Sequence, residues 1–471
     1  MKISELMRKG IIALIIVAAS FALVSCNAPA EEVQISIASD PPAEQEKTVD
    51  LGGKKVRADE KNLKLYDGGY SVDKLCAAAS ELDKLETLDL GRTSLDSAGL
   101  EKIREAFPNV DLSWQINFNG TTLDSSIEKL NLSELADVGA AATAEALKKL
   151  PSLNYIDLTG NRENTSLSTD SLSLIAAAAP QAVLGVRFDI FGIEADENTQ
   201  ELRYDGVNIG DEGVKSIEKY LPFLHSLRLL RLRECGISDN DAMAELREKY
   251  EGRINIVWSI ELGGFPVMTD TTLINNPLLR DGDVDKLRYM PEILYLDIGH
   301  NRRLSSVDFV KYTPKLKTVI VSLTEITDIS PFANCKDIEL FECLTMPISD
   351  ISVLAGMEKL EYVNIGNMPN LADISPLYGK KTLKMVRISG KTFENVTKEQ
   401  IEKLQESVPD CFISTVGGDP SNSGNWKFNP DGTYTERYAL TRKQMCYDPP
   451  YWQMRISKSL TALEGSGENI A

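Results

Sequence analysis

The chain has 471 residues, with 70 acidic against 51 basic side chains and a formal net charge of −19. A body this acidic repels phosphate backbones and anionic headgroups, which excludes nucleic acid as a partner and a basic patch as the means of touching a membrane. With 42% hydrophobic residues the length allows an ample core, so the fold does not depend on disulfide staples.

The first predicted element is a leader, residues 1–25. Lys2, Arg8 and Lys9 precede an apolar run from Ile11 to Val24, too short and wrongly flanked for a lasting membrane span. The run ends in Leu23-Val24-Ser25-Cys26, which resembles the lipobox of bacterial lipoproteins at all four positions. That resemblance implies cleavage before Cys26 and lipid on its sulfur. The chain would then be exported and anchored by acyl chains at the outer face of a bacterial cell membrane. The alternative is an ordinary secreted protein with a chance cysteine. Loss of the leader removes three basic and one acidic side chain and leaves a net charge of about −21. Residues 26–48, rich in Ala, Pro and Glu, read as a flexible lipid-anchored linker.

Residues 49–290 carry helix-bearing repeats. "LETLDLGRTSL" places Leu85, Leu88, Leu90, Thr93 and Leu95, and an amphipathic helix follows through Leu100, Ile103 and Phe107. The frame recurs at Leu153, Ile156, Leu158 and Asn161, at Leu227, Leu230, Leu232 and Cys235, and at Ile293, Leu296, Ile298 and Asn301. Alternation in L-x-L puts one face of a short strand into a core, and each unit buries its apolar edge only against the next. These units resemble the ribonuclease-inhibitor type of leucine-rich repeat. In that family the slot of Thr93, Asn161, Cys235 and Asn301 holds a small group that satisfies backbone atoms inside the turn. A longer beat overlies this one. "WQINFNG", "RFDIFG" and "WSIELGG" end at Gly120, Gly192 and Gly264, 72 residues apart, with Trp114 and Trp258 in matching slots; "TVDLGG" ends at Gly53. Each predicts a strand that overruns the ladder and returns through a glycine turn, giving about four hairpins along one edge.

Residues 291–390 carry shorter units. "TDISPF", "SDISVL" and "ADISPL" set Asp328, Asp350 and Asp373 apart by 22 and 23 residues, and Ser306 holds the same place 22 residues upstream. They resemble the internalin-type repeats of bacterial surface proteins. Asp328, Ser330 and Cys335 stand within eight positions and could be taken for a nucleophile box. Their recurrence instead predicts a turn after each strand, with Asp bonding the backbone and Pro331 fixing the shape. Residues 391–418 form the last repeat helix and strand. Residues 419–471 are a C-terminal cap and tail, with Trp426 and Trp452 closing the last repeat.

These resemblances imply an α/β fold: a leucine-rich-repeat solenoid with a parallel β-sheet on the concave side, helices or short turns on the convex side, and periodic edge β-hairpins. Catalytic chemistry is hard to place on it. Asp281, Asp283, Asp285 and Glu292 fit the acidic positions of a calcium loop, but Lys286 stands where the sharp turn needs glycine. The helix-start reading has these acids facing the N-terminal dipole. His225 and His300 lack a second histidine at helical spacing, and no G-x-S-x-G, phosphate loop or dinucleotide motif appears in context. No metal, cofactor or enzymatic activity is expected. Besides Cys26 there are six cysteines, which read as reduced, buried thiols or as disulfides.

Binding is the positive expectation. In this family the variable residues of L-x-x-L-x-L face the ligand, and Tyr and Arg anchor interfaces most often. The candidate contacts are Tyr155, Arg231, Tyr295, Asp297, His300, Tyr362 and Arg387. The partner would be an extracellular protein or glycan, with the membrane reached through the N-terminal lipid. The alternative is a structural envelope spacer or assembly lipoprotein.

Overall fold

The computed structural model describes residues 47–66, 68–160, 167–276, 278–416 and 425–447. The motif around Cys26, the linker up to residue 46, Asn161 and Trp452 lie outside the described residues.

Each short repeat makes a strand whose middle residue points inward. Leu296, Val319, Phe341 and Val363 are completely buried, so the alternation of the sequence is the alternation of the strand. Seven such strands form one ladder in chain order: Leu273–Asn275, Tyr295–Asp297, Thr318–Ile320, Leu340–Glu342, Tyr362–Asn364, Met385–Ser389 and Phe412–Val416. All pairs are parallel. Tyr295 stands beside Thr318, Thr318 beside Leu340, Leu340 beside Tyr362 and Tyr362 beside Met385. The register therefore advances by one repeat per strand. Between strands the chain turns through short 3-10 helices such as Ser330–Asn334, Ser352–Gly356 and Ser375–Leu377.

The aspartates start those turns. The Asp328 carboxylate accepts from the Ser330 amide at 2.8 Å and the Ser330 hydroxyl at 3.0 Å. Asp373 takes the same two bonds from Ser375 at 2.8 and 3.0 Å, and Asp350 accepts from the Ser352 amide at 2.7 Å. In the weaker copy the Ser306 hydroxyl accepts from the Asp308 amide at 3.1 Å. Cys335 is buried with its sulfur 3.6 Å from the Thr313 carbonyl oxygen, and burial pushes its thiol up to about 11. The trio is a turn followed by a core residue.

The longer repeats use α-helices in place of those turns. Asp96, Ser168 and Asp239 cap the helices Ser97–Ala106, Thr169–Ala178 and Asn240–Lys249 by accepting a backbone amide in the first turn. Neighbouring units are also stapled side chain to backbone. Asp137 accepts from the Ser168 amide at 2.7 Å, Asp211 from Ser238 at 2.9 Å and Asp281 from Ser305 at 2.8 Å. In the turn slot, half-buried Thr93 accepts the Leu95 amide at 3.1 Å, while Asn301 and Cys235 meet backbone carbonyls. The buried Asn301 amide donates to the carbonyls of Asn276 and Ile298, both at 2.8 Å, and Cys235 sulfur lies 3.3 Å from the Arg233 carbonyl.

Among the described residues four antiparallel hairpins interrupt the parallel pairing: Thr48–Asp50 with Lys55–Arg57, Asp111–Phe118 with Thr121–Asp124, Arg187–Ile190 with Ile193–Asp196, and Asn255–Leu262 with Phe265–Met268. In the last three the turn residues Asn119-Gly120, Phe191-Gly192 and Gly263-Gly264 all have positive φ, the combination that matches the twist of a two-residue hairpin. The base of each is closed in the same way. The amides of Trp114, Val186 and Trp258 donate to Ser125 Oγ, Glu197 Oε2 and Thr269 Oγ1, at 3.1, 3.2 and 3.1 Å. The core divides at the third hairpin. One apolar cluster gathers residues from Val49 to Val186 together with Phe223, another runs from Ile190 to Cys411, and Phe188 packs against both.

Candidate functional site

The outward residues of the strands form the face of the sheet opposite the core. In the first half of the chain this face is open. Asn62, Lys64, Lys129, Asn131, Val183, Glu201 and Asp205 are exposed, and Tyr155 and Asp157 are half-buried. From the Leu229–Arg233 strand onward most of the same positions are buried or half-buried, although Arg233, Asn255 and Phe412 stay exposed. Leu229, Val257 and Met268 cluster there, and along the seven-stranded ladder Leu273, Thr318, Ile320, Leu340 and Met385 are all covered. Apart from Thr318 these are apolar side chains at positions where a solvated sheet carries polar ones.

Part of the cover is the chain's own C-terminal segment. Helix Glu436–Gln444, capped by Thr435, lies across the ladder. Before it, buried Trp426 donates its indole N–H to Glu342 Oε2 at 2.7 Å, and the Arg437 guanidinium sits 3.9 Å over the Trp426 ring. After it, Met445 and Cys446 pack on Leu273, Ile320 and Leu340, with Tyr295, Tyr362 and Tyr447 against them. Asn275 donates to the Met445 carbonyl at 3.3 Å, Thr318 to Gln444 Oε1 at 3.2 Å, and the Tyr447 hydroxyl to Asp297 Oδ2. The sequence predicts a segment that closes the end of the last repeat. Instead it turns back over strands that precede the end, because that is where the apolar outward row needs a cover.

Between helix and sheet remains a cavity of about 450 Å³. Asp297, His300, Ser322 and Glu342 line one wall and Lys427, Arg437, Arg442 and Tyr447 the other. Burial pushes the Asp297 carboxyl above its ordinary range, although the Tyr447 hydroxyl and the Gly299 amide pull it back. Burial first, and the nearby Asp297 charge second, hold Tyr447 far above a free phenol. Burial lowers Arg437 to about 10, against the attraction of Glu342.

The seven candidate contacts fall into three groups. Tyr155 borders the open face, with its hydroxyl 3.2 Å from Glu197 Oε1. Tyr295, Asp297 and Tyr362 lie under the C-terminal segment, and exposed His300 rims the cavity, held in a left-handed turn at φ +62° with its amide 2.8 Å from the Ser322 carbonyl oxygen. Arg231 and Arg387 correct the expectation of exposed guanidiniums. Arg231 is 6% exposed and bonds Asp205 at 2.6 Å; Arg387 is 0% exposed, in a strand whose five residues are all buried. Both sit on the stretch where the outward face is mostly covered, so Arg387 is shut off from solvent and Arg231 nearly so. Sequence reasoning missed Met445 and Tyr447. The available signal was the run of apolar residues at outward positions, which asks for a cover.

The acids of the calcium-like stretch disperse. Asp281 goes to Ser305, Asp283 accepts from the Arg280 amide at 3.2 Å, and Glu292 pairs with Lys315 at 2.6 Å. Among the described residues no group of three or more His, Cys, Asp or Glu is placed to hold a metal ion. The six cysteines of the described residues are free, and all but Cys76 are buried.

No protein-family model and no curated protein matches the chain. Among solved structures it is similar to an internalin of Listeria monocytogenes, InlF, with 16% identity over 73% of this chain and 85% of that one, at a TM-score of 0.25. A leucine-rich-repeat protein of Leptospira interrogans shares 14% identity over 76% of this chain and 96% of that one, at 0.28. A second Listeria internalin, InlC2, shares 18% over 54% of this chain and 96% of that one, at 0.22. The in-register parallel ladder and its one-repeat step by themselves make the chain a parallel-strand repeat solenoid.

Proposed function

We propose that the chain is a lipid-anchored repeat protein at the outer face of a bacterial membrane. It binds an extracellular protein or glycan through the sheet, which lines the concave side of the solenoid, and through the hairpins. The observation that carries the binding reading is the outward face itself. It is a regular array of side chains not needed by the core, left open from Asn62 to Asp205 and elsewhere complementary to a peptide segment. The anchor rests on the Leu23-Val24-Ser25-Cys26 motif. Two experiments test the reading. The chain from Asn27 onward, immobilised and offered cell-wall glycans, host glycans and surface proteins, retains one class. Charge reversal at Lys129 and Asp157 weakens that binding. No retention, with a hydrolytic activity copurifying, sinks the binding reading. Cys26→Ala abolishes metabolic labelling with palmitate; label that persists refutes lipid attachment at that residue.

A further inference from the structure

The C-terminal helix is turned the wrong way round for a permanent piece of core. It buries Arg437 and Thr441, while Leu440 is 50% exposed and Phe428 and Tyr434 beside it also face solvent. A helix that completes a core buries its apolar stripe. Its described grip on the sheet lies at two ends, Trp426 on Glu342 and the Gln444–Tyr447 stretch on Thr318, Asn275 and Asp297. Between those ends the helix borders a pocket of about 450 Å³ that opens to solvent beside His300, so the middle of the helix is not sealed onto the sheet. The ladder beneath is complete without it, since strand pairing and the inward row are made within the solenoid.

The contacts also state what this face recognises. Glu342 takes an aromatic N–H, Asp297 an aromatic O–H, and Asn275 a main-chain carbonyl, while Leu273, Ile320 and Leu340 receive a methionine side chain. Recognition of a main-chain carbonyl between two side-chain anchors is recognition of polypeptide. We propose that residues 425–447 are a removable strap, an internal stand-in for a polypeptide partner with the same aromatic donors, which displaces the strap and takes its place. This rests on the reading of the sheet face as a binding surface.

Hydrogen exchange on the full chain tests it. Amides of the helix, such as Ala439 bonded to Thr435, exchange at least about 100-fold faster than ladder-flanking amides such as Cys343 bonded to Asn364, the mark of sub-global opening. The double variant Trp426→Phe, Tyr447→Phe loses both aromatic donors and keeps an aromatic ring at each position, a smaller one at 426. It speeds the helix amides about tenfold or more and leaves the ladder unchanged. A fluorescent peptide of residues 425–447 binds this variant at least about tenfold more tightly than the wild type, where the tethered copy competes. One common rate for helix and ladder, moved together by the variant, overturns the strap. A strap that opens while the peptide fails to bind the variant overturns the partner mimicry. A negative ligand survey would leave the exchange result standing, so the two readings fail separately.

Discussion

Tyr155-Ile156-Asp157 and Tyr295-Leu296-Asp297 are the same three-residue strand in the two halves of the solenoid, yet they live in different surroundings. In the first, Asp157 turns to its own chain, accepting from the Thr159 amide and hydroxyl at 2.9 and 2.7 Å beside an open face. In the second, Asp297 lies under the strap and accepts from Tyr447. The inward residues do not differ: Ile156 and Leu296 are both 0% exposed. The inward frame therefore specifies the solenoid, and the outward positions decide whether a stretch of sheet is left open or covered.

The largest expected effects probe the part of the comparison that should show no difference. Phe341→Ala removes a ring packed edge-on against Phe332 at 5.1 Å and should cost about 4 kcal/mol; Ile156→Ala in the other half should cost about 3 kcal/mol. Denaturant midpoints measure both. If only one half suffers, the two are not built on one frame. The next effect is smaller and must differ between halves. Leu340→Ala on the covered face should cost about 2 kcal/mol, whereas Lys129→Ala on the open face should stay within about 0.5 kcal/mol. Equal losses would mean that the open face is covered in solution or the covered one is open.

The ladder, the turns and the hairpins were legible because each repeats. Asp328, Asp350 and Asp373 mark the same bend, and Gly120, Gly192 and Gly264 the same reversal, so one copy explains the others. The strap was not legible in that way, since Trp426 and Tyr447 occur once and their partners lie 84 and 150 residues away. What misled the site reading was attention to polar outward residues. Arg231 and Arg387 share their rows with Val257, Ile320 and other buried residues, and the company a side chain keeps across the ladder decides its exposure. A row-by-row reading of the outward positions would have separated the open half from the covered one.

The smallest effect is the sharpest in sign. Threonine hydrogen bonds hold the Asp157 carboxyl below its ordinary value of 3.8, while burial holds Asp297 above it. A lowered folded-state pKa adds stability that is present above 3.8 and lost as pH falls through the folded value. A raised one does the reverse: between 3.8 and the folded value the native state holds a proton that the unfolded chain has released, so stability falls as pH rises through that window. The variants Asp157→Asn and Asp297→Asn cannot ionise. Relative to wild type, Asp157→Asn should lose stability as pH rises from 2 to 7, and Asp297→Asn should gain it. Asparagine offers Tyr447 and Gly299 one oxygen in place of two, which lowers Asp297→Asn by an offset that does not change with pH, so the slope carries the test. Urea midpoints across that range read both slopes. A flat line for Asp297→Asn would mean that its carboxyl is hydrated most of the time, and the strap would then stand open rather than closed.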